Sequence, residues 1–322
     1  MSINFPPNTV LAIVGPTGIG KTALTEIIAD MTPVEIISAD SRQIYRHMDI
    51  GTAKASPELQ ERIPHHFIDM LEPDQDYSAG EFGKDAREVA VDIFQRGKLP
   101  LVAGGSGLYV RAMLEGFFKV NVKDLEIRQQ LQARLASEGI DPLFAELKKV
   151  DPELAEKNHP NNAKRVLRGL EVFYSAGRPL SEIQKEQPDP APFQWIKIGL
   201  TMARQPLYDR INLRVEDMFQ AGLLAEVQRI LALGFSRELN ALNSVGYKEV
   251  IAYLNKETDL AACKEKIKQH TRRYAKRQLT WFRADEEIRW IDVGGSYSIT
   301  EIAGAILSGN TGHFDAFPEK GT

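Results

Sequence analysis

The chain has 322 residues, of which 43% are hydrophobic and 26% charged, with a net charge of −4. That mix supports a sizeable core in one large domain with an insert, or in two domains, and offers neither a ~20-residue apolar run for a membrane span nor a charged-then-apolar leader. One cysteine, Cys263, excludes an intrachain disulfide and a cysteine-rich zinc site; a cytoplasmic setting is expected, and any nucleic-acid binding must come from local basic patches.

The first third alternates strand-like and helix-like segments, the signature of a parallel sheet with crossover helices. A strand over 10–14 leads into Gly15, Pro16, Thr17, Gly18, Ile19, Gly20, Lys21 and Thr22, which fit G-x-x-x-x-G-K-[ST], and a helix over 23–31 follows. Glycines there let backbone N–H groups turn inward on a polyphosphate, at the positive end of the helix. Lys21 adds a mobile cation and Thr22 a hydroxyl for Mg²⁺. The bland alternative is a glycine-rich turn without a ligand, which the Lys-Thr ending disfavours. The loop says pyrophosphate without saying whether phosphate is transferred or leaves.

A second strand over 34–38 ends in Ser38, Ala39, Asp40, Ser41, Arg42 and Gln43. Ligands of open parallel sheets sit beyond the strands' carboxyl ends, so Asp40 should face the same crevice as the loop. It can accept a proton, help hold Mg²⁺, or cap a helix, and position alone does not choose. The pair His65-His66 lacks the acids and cysteines of a metal site and reads as packing or surface. A helix over 79–96 precedes a third strand over 100–103, which runs into Gly104-Gly105-Ser106-Gly107 without the metal-holding Asp that many P-loop NTPases carry near there. A helix-like stretch over 108–114 follows.

From about 120 to 190 leucines recur at helical spacing with no strand between them, giving an all-helical insertion over 120–190 and an α/β core over 1–119 and 191–322. Within the insertion, Asn161-Asn162 can start a helix that stops at Gly177, and Lys164, Arg165 and Arg168 form a small basic cluster. The sheet resumes at 195–201 and again at 288–293. Between those strands, Arg210 and Arg214 share one helix face, either solvated or placed to clamp a pyrophosphate. Residues 264–283 hold eight Lys/Arg against one acid, Glu265, a density that points to phosphate-backbone contacts. After Gly309 the tail is polar and expected to fray.

Taken together, several of these segments resemble the tRNA dimethylallyltransferase family, also called isopentenyltransferases. The resemblance rests on residues 15–22, 38–45, 48–54, 104–109, 159–168, 243–248 and 274–283, in order along nearly the whole chain. Ile19-Gly20 stands where Ser-Gly is common, and Ser106 where Thr is usual; neither removes a needed group. The resemblance implies a bacterial-type enzyme of the α/β class, with a P-loop NTPase-like parallel sheet flanked by helices and an all-helical insertion domain that contacts tRNA. It implies transfer of a dimethylallyl group from dimethylallyl diphosphate to N6 of adenosine 37, next to the anticodon, in tRNAs reading codons that begin with U. Diphosphate leaves, which accounts for the missing strand-end acid. Asp40, Thr22 and Arg214 would be catalytic, residues 15–22 would bind the diphosphate, and Thr22 would hold Mg²⁺. The anticodon stem-loop would be met by Asp40, Ser41, Arg42, Gln43, Ser106, Arg128, Lys164, Arg165, Val166, Leu167, Arg168, Asn243, Ser244, Val245, Gly246, Tyr247 and Lys248, with the chain acting as a monomer. Charge alone adds the helix over 272–283. Two rival readings are a P-loop kinase, opposed by the basic stripe and the missing acid, and a non-enzymatic RNA-binding protein with a relic P-loop, opposed by an intact Gly20-Lys21-Thr22 beside Asp40.

Overall fold

The structure, a computed structural model, describes residues 4–116, 124–186 and 188–311. The boundary expected between 119 and 120, and the tail beyond Thr311, lie outside those residues. The described residues divide into two compact units, one within Met1–Leu114 and Ala191–Thr322 and the other within Glu115–Pro190.

The first unit is built on a sheet of six parallel strands: β1 (Thr9–Val14), β2 (Val34–Ser38), β3 (His65–His66), β4 (Leu99–Gly104), β5 (Gln194–Thr201) and β6 (Arg289–Asp292), in the spatial order β3-β2-β4-β1-β5-β6. Helices α1 (Lys21–Met31), α2 (Pro57–Arg62), α3 (Ala79–Gln95) and α4 (Gly107–Leu114) belong to its first half. β1 is buried throughout, as a central parallel strand must be. Its alternation splits the core: Leu11 and Ile13 pack with Leu24 and Ile28 of α1, while Val10, Ala12 and Val14 pack with Phe82 and Ala86 of α3 and Val110 of α4. α3 starts on a capping box between Ser78 and Glu81.

Two residues were too few to read as a strand, and β3 is the one strand the sequence does not announce. Its His66 Nε2 lies 2.8 Å from Glu35 on β2, so the histidine pair is packing, with an edge strand in addition.

The second unit is a bundle of α5 (Leu125–Glu138), α6 (Ile140–Val150), α7 (Pro152–Glu156), α8 (Ala163–Ala176) and α9 (Leu180–Ile183), without a strand among its described residues. Leu131, Leu143, Leu147, Val166 and Leu170 form its core. Asp151 is wholly buried there, and accepts the N–H groups of Leu154 and Ser181 at 3.0 and 2.9 Å, joining the start of α7 to α9.

The chain then returns to the first unit, where α10 (Arg204–Gln220), α11 (Leu223–Ala232), α12 (Tyr247–Leu254), α13 (Leu260–Arg283) and α14 (Ile299–Ser308) complete it. A third core packs Ile44, Tyr45 and Met48 against Val215, Val227, Ile230 and Tyr247. Among the described residues no helix is long and apolar enough to cross a membrane.

Glu35 is 3% exposed and accepts from Arg96 at 2.9 and 2.8 Å, Lys98 at 3.0 Å and His66. The Arg96 hydrogen bonds hold its carboxyl down at about 2, against the upward pull of burial, with His66 and Lys98 assisting. A carboxyl with a depressed folded pKa adds stability above its unfolded value, so this contribution, on the order of 3 kcal/mol, is lost as pH falls from about 4.5 towards 2. Glu35→Gln should lower stability by about 2–3 kcal/mol near pH 7 in chemical unfolding, and by only about 1 kcal/mol near pH 3, where more than half of the contribution is already gone.

Candidate active site

The turn from β1 into α1 is set by glycine. Gly15 has φ +142°, and a Cβ there would sit 2.8 Å from the Leu200 carbonyl oxygen of β5; Gly20, with φ +106°, caps α1 in the left-handed region. Lys21 folds over the loop and donates from Nζ to the carbonyls of Gly15 and Pro16 at 3.0 and 2.9 Å. Arg210 Nη1 reaches the Ile19 carbonyl at 3.5 Å from the far side.

The ends of β2 and β4 come together beside this loop. Ala39 N–H donates to the Ala103 carbonyl at 2.8 Å and Ser106 N–H to the Ala39 carbonyl at 3.1 Å. A side chain at Gly104 would collide with that Ala39 carbonyl at 2.1 Å, so the glycine turn serves close approach of backbones. Ser106 Oγ accepts from Ser41 N–H at 3.0 Å, and Asp40 Oδ1 accepts from Arg42 N–H at 2.9 Å. Asp40 thus closes a local side-chain turn and caps no helix. Gln43 is anchored as well, accepting from Ser38 Oγ at 3.0 Å and donating to the Thr52 and Ala53 carbonyls at 3.3 and 3.2 Å.

Lys21, Thr22, Asp40, Ser41, Arg42, Gln43, Arg210 and Arg214 all line one cavity of about 640 Å³ beyond the carboxyl ends of the strands. Their charges act on one another. Burial pushes the Lys21 ammonium from its ordinary 10.5 down to about 8, Asp40 raises it, and Arg214 lowers it. Burial likewise lowers Arg214, opposed by Asp40. Tyr274 is pushed up to about 12, by burial first and then by Asp40. A cradle of positive charge therefore meets a carboxylate within one crevice.

Asn243, Ser244, Val245, Gly246 and Lys248 line the same cavity, whereas Tyr247 is fully buried and donates to Glu226 at 2.6 Å. Three acceptors that hold these loops escape a sequence reading. Gln278 of α13 accepts from Thr17 N–H at 2.8 Å and donates to the Gly105 carbonyl at 2.9 Å, tying the P-loop to the glycine turn. Glu249 accepts from Gly246 N–H at 2.7 Å, with His270 Nδ1 at 2.6 Å. Glu226 lies on the apolar face of α11 with Leu223, Val227 and Ile230, and an acid at that spacing is the one signal that was available.

The basic stripe needs correcting. Lys264 and Lys268 pair with Glu216 of α10 at 2.6 and 2.8 Å, and Arg272 donates to Asn212 at 2.6 Å. These cations hold α13 against α10. Lys266, Arg273, Lys276, Arg277 and Arg283 stay exposed, and Arg277 lines the cavity.

In the helical unit, Asn162 caps α8 by accepting from Arg165 N–H. Lys164 and Arg165 are exposed, Leu167 is half-buried, and Val166 is a core side chain that cannot itself meet a ligand. Arg128 and Arg168 converge on Glu171 at 3.2 and 3.0 Å.

A sequence model of the family described as IPP transferase matches residues 43–285, well over half of the chain. The chain belongs to the IPP transferase family. A second model, described as Isopentenyl transferase, matches residues 8–74, which include the P-loop and Asp40. The tRNA dimethylallyltransferase of Natranaerobius thermophilus is 42% identical over 287 residues, 88% of this chain and 86% of its own. That of Pelotomaculum thermopropionicum is 45% identical over 295 residues, 91% and 93%. Among solved structures, the tRNA isopentenylpyrophosphate transferase of Bacillus halodurans superposes with a TM-score of 0.69 at 39% identity, covering 93% of this chain and 95% of that one. A eukaryotic dimethylallyltransferase acting on tRNA gives 0.76 at 31% identity, covering 89% and 74%. The sheet of this IPP transferase family member is P-loop NTPase-like, and the chain is an enzyme of that family.

A lysine poised near 8 makes anion binding pH-dependent. The charged form is needed against a diphosphate, and it is lost as pH rises through 8. Affinity for an alkyl diphosphate should fall about tenfold between pH 7 and 9 in calorimetry, and Lys21→Arg should flatten that decline.

Proposed function

We propose that the chain transfers the dimethylallyl group of dimethylallyl diphosphate to N6 of adenosine 37 in tRNAs reading codons that begin with U, acting as a monomer in the cytoplasm. One observation carries the reading: Lys21 and Arg214 feel the charge of Asp40 across a single crevice that also admits the 243–248 loop.

The chemistry follows from what each side can stabilise. As the C1–O bond of the donor breaks, its electron pair goes to the diphosphate, and the N–H groups of residues 15–22 with Lys21 and Arg214 would meet the growing charge. Thr22 is the residue to hold Mg²⁺. Thr22 and Asp40 both line the cavity, and a hydroxyl and a carboxylate are oxygen donors that suit a hard cation. No group of three or more His, Cys, Asp or Glu that could hold a metal ion occurs among the described residues. When bound, the ion supplies further neutralisation of the leaving group.

Adenine N6 is a weak nucleophile because its lone pair is conjugated with the ring, so its alignment on C1 matters more than strong deprotonation. Asp40, held by Arg42 N–H, would orient the amine and take its proton as the N6–C1 bond forms. Adenosine 37 must leave its stack, at a cost of a few kcal/mol, which contacts from residues 40–43, Ser106, the 243–248 loop, the exposed cations of α13, and Arg128 and 164–168 of the helical unit would offset. Tyr247 and Val166, being buried, would serve by holding their neighbours.

The direct test is incubation with labelled dimethylallyl diphosphate and unmodified tRNA, then mass analysis of the nucleosides; label on adenosine is the expected result. In that assay Asp40→Ala should lower kcat by about 10²–10⁴ with tRNA affinity nearly unchanged, and surviving turnover would remove Asp40 as the base. Replacing Lys164 and Arg165 together by Ala should weaken tRNA binding and reduce the slope of log K against log salt by about 1.5–2; an unchanged slope would clear both of phosphate contact.

A further inference from the structure

Glu226 is 1% exposed, and the catalytic reading leaves it without a task. Its Oε2 accepts the N–H groups of Asp49 and Ile50 at 3.1 and 2.7 Å, while Oε1 accepts Gly51 N–H at 3.1 Å and the Tyr247 hydroxyl at 2.6 Å. Two loops meet on this one carboxylate. Gly51, Thr52 and Ala53 line the cavity from one loop, and Asn243 to Gly246 line it from the other, directly before Tyr247. They also touch: a Cβ on Gly51 would lie 2.4 Å from Tyr247 Cε2.

Four donors converging on one side chain require a group that only accepts. An ionised carboxylate does so with both oxygens, whereas a carboxamide has a single oxygen and would turn its own N–H₂ towards N–H donors. Charge without a full set of partners would be costly at this depth; here each oxygen takes two. No hydrogen bond of this set reaches residues 15–22.

We infer that Glu226 is a positioning residue for the acceptor substrate: through Asp49–Gly51 and Tyr247 it fixes the register of the two cavity-lining loops on the nucleic-acid side and leaves the diphosphate side alone. Tyr247 is the link between them and not a contact for tRNA. The inference rests on the tRNA reading above.

The full chain, Glu226→Gln, Tyr247→Phe and the double variant should be compared for alkyl diphosphate affinity, for kcat and KM with tRNA per folded molecule, and for thermal midpoint. Diphosphate affinity is expected to stay within about twofold of the unaltered chain, while kcat/KM for tRNA drops about tenfold or more in Glu226→Gln and about threefold in Tyr247→Phe. The double variant should be no worse than Glu226→Gln by more than about twofold, because one link is broken in both. Equal losses for diphosphate and tRNA would mean general loosening and overturn the inference, as would tRNA kinetics unchanged within twofold. If Glu226→Gln does not fold, Tyr247→Phe decides, since it keeps the buried ring and removes one hydrogen bond. An unaltered chain that fails to prenylate tRNA would instead sink the functional reading, a result separable from both.

Discussion

At the carboxyl ends of β1, β2, β4 and β5 neighbouring segments pack so closely on three glycines that none of the three could carry a side chain. Gly104 lies under the Ala39 carbonyl, Gly105 under the Gln278 amide, and Gly15 against the Leu200 carbonyl; an added Cβ would stand 2.1, 2.0 and 2.8 Å from those atoms. The close approach brings Asp40 to one wall of the crevice and the P-loop to the other, with Ser106 and Gln278 hydrogen-bonded between neighbouring segments. Parallel topology makes such a place, because all strands end on one side and successive connections diverge from it. Everything the cavity can do follows from glycine where backbones must touch and from charged side chains where they need not.

Periodicity made most of the sheet and its crossover helices legible. The P-loop, the strands over 34–38 and 195–201 and the helix stopped by Gly177 follow from local rules that hold whatever surrounds them. β3 did not, because two residues carry no period; its place comes from pairing with β2 and from His66 against Glu35. The expectation for Asp40 had three branches, and hydrogen bonding to Arg42 N–H removes only the helix cap. Charge counting overstated the basic stripe for a simple reason. A run of lysines and arginines in sequence says nothing of Glu216 and Asn212 on another helix, which take Lys264, Lys268 and Arg272.

Buried acids form the layer that sequence reading misses most. Glu35, Asp151, Glu226 and Glu249 are each almost wholly enclosed, and each is hydrogen-bonded to a residue of another element. An isolated acid on a helix is ordinarily solvated, so composition assigns it to the surface. Loops without regular hydrogen bonding still need every N–H satisfied, and an enclosed carboxylate can satisfy several at once. Here the long connection after β2 and the segment before α12 owe their shapes to such groups, and those two segments furnish about a third of the residues that line the cavity.

Gln278 is separated from Thr17 by 261 positions, yet it supplies the acceptor for that P-loop amide. A nascent chain emerging from the ribosome exposes the phosphate loop early and then makes the whole helical insertion before α13 exists to complete it. Until that helix arrives, the Thr17 amide and the Gly105 carbonyl lack the amide group that joins them. The bonds that fasten the phosphate loop to the glycine turn are thus made only after α13 has been synthesised, so a product terminated ahead of that helix is left without them.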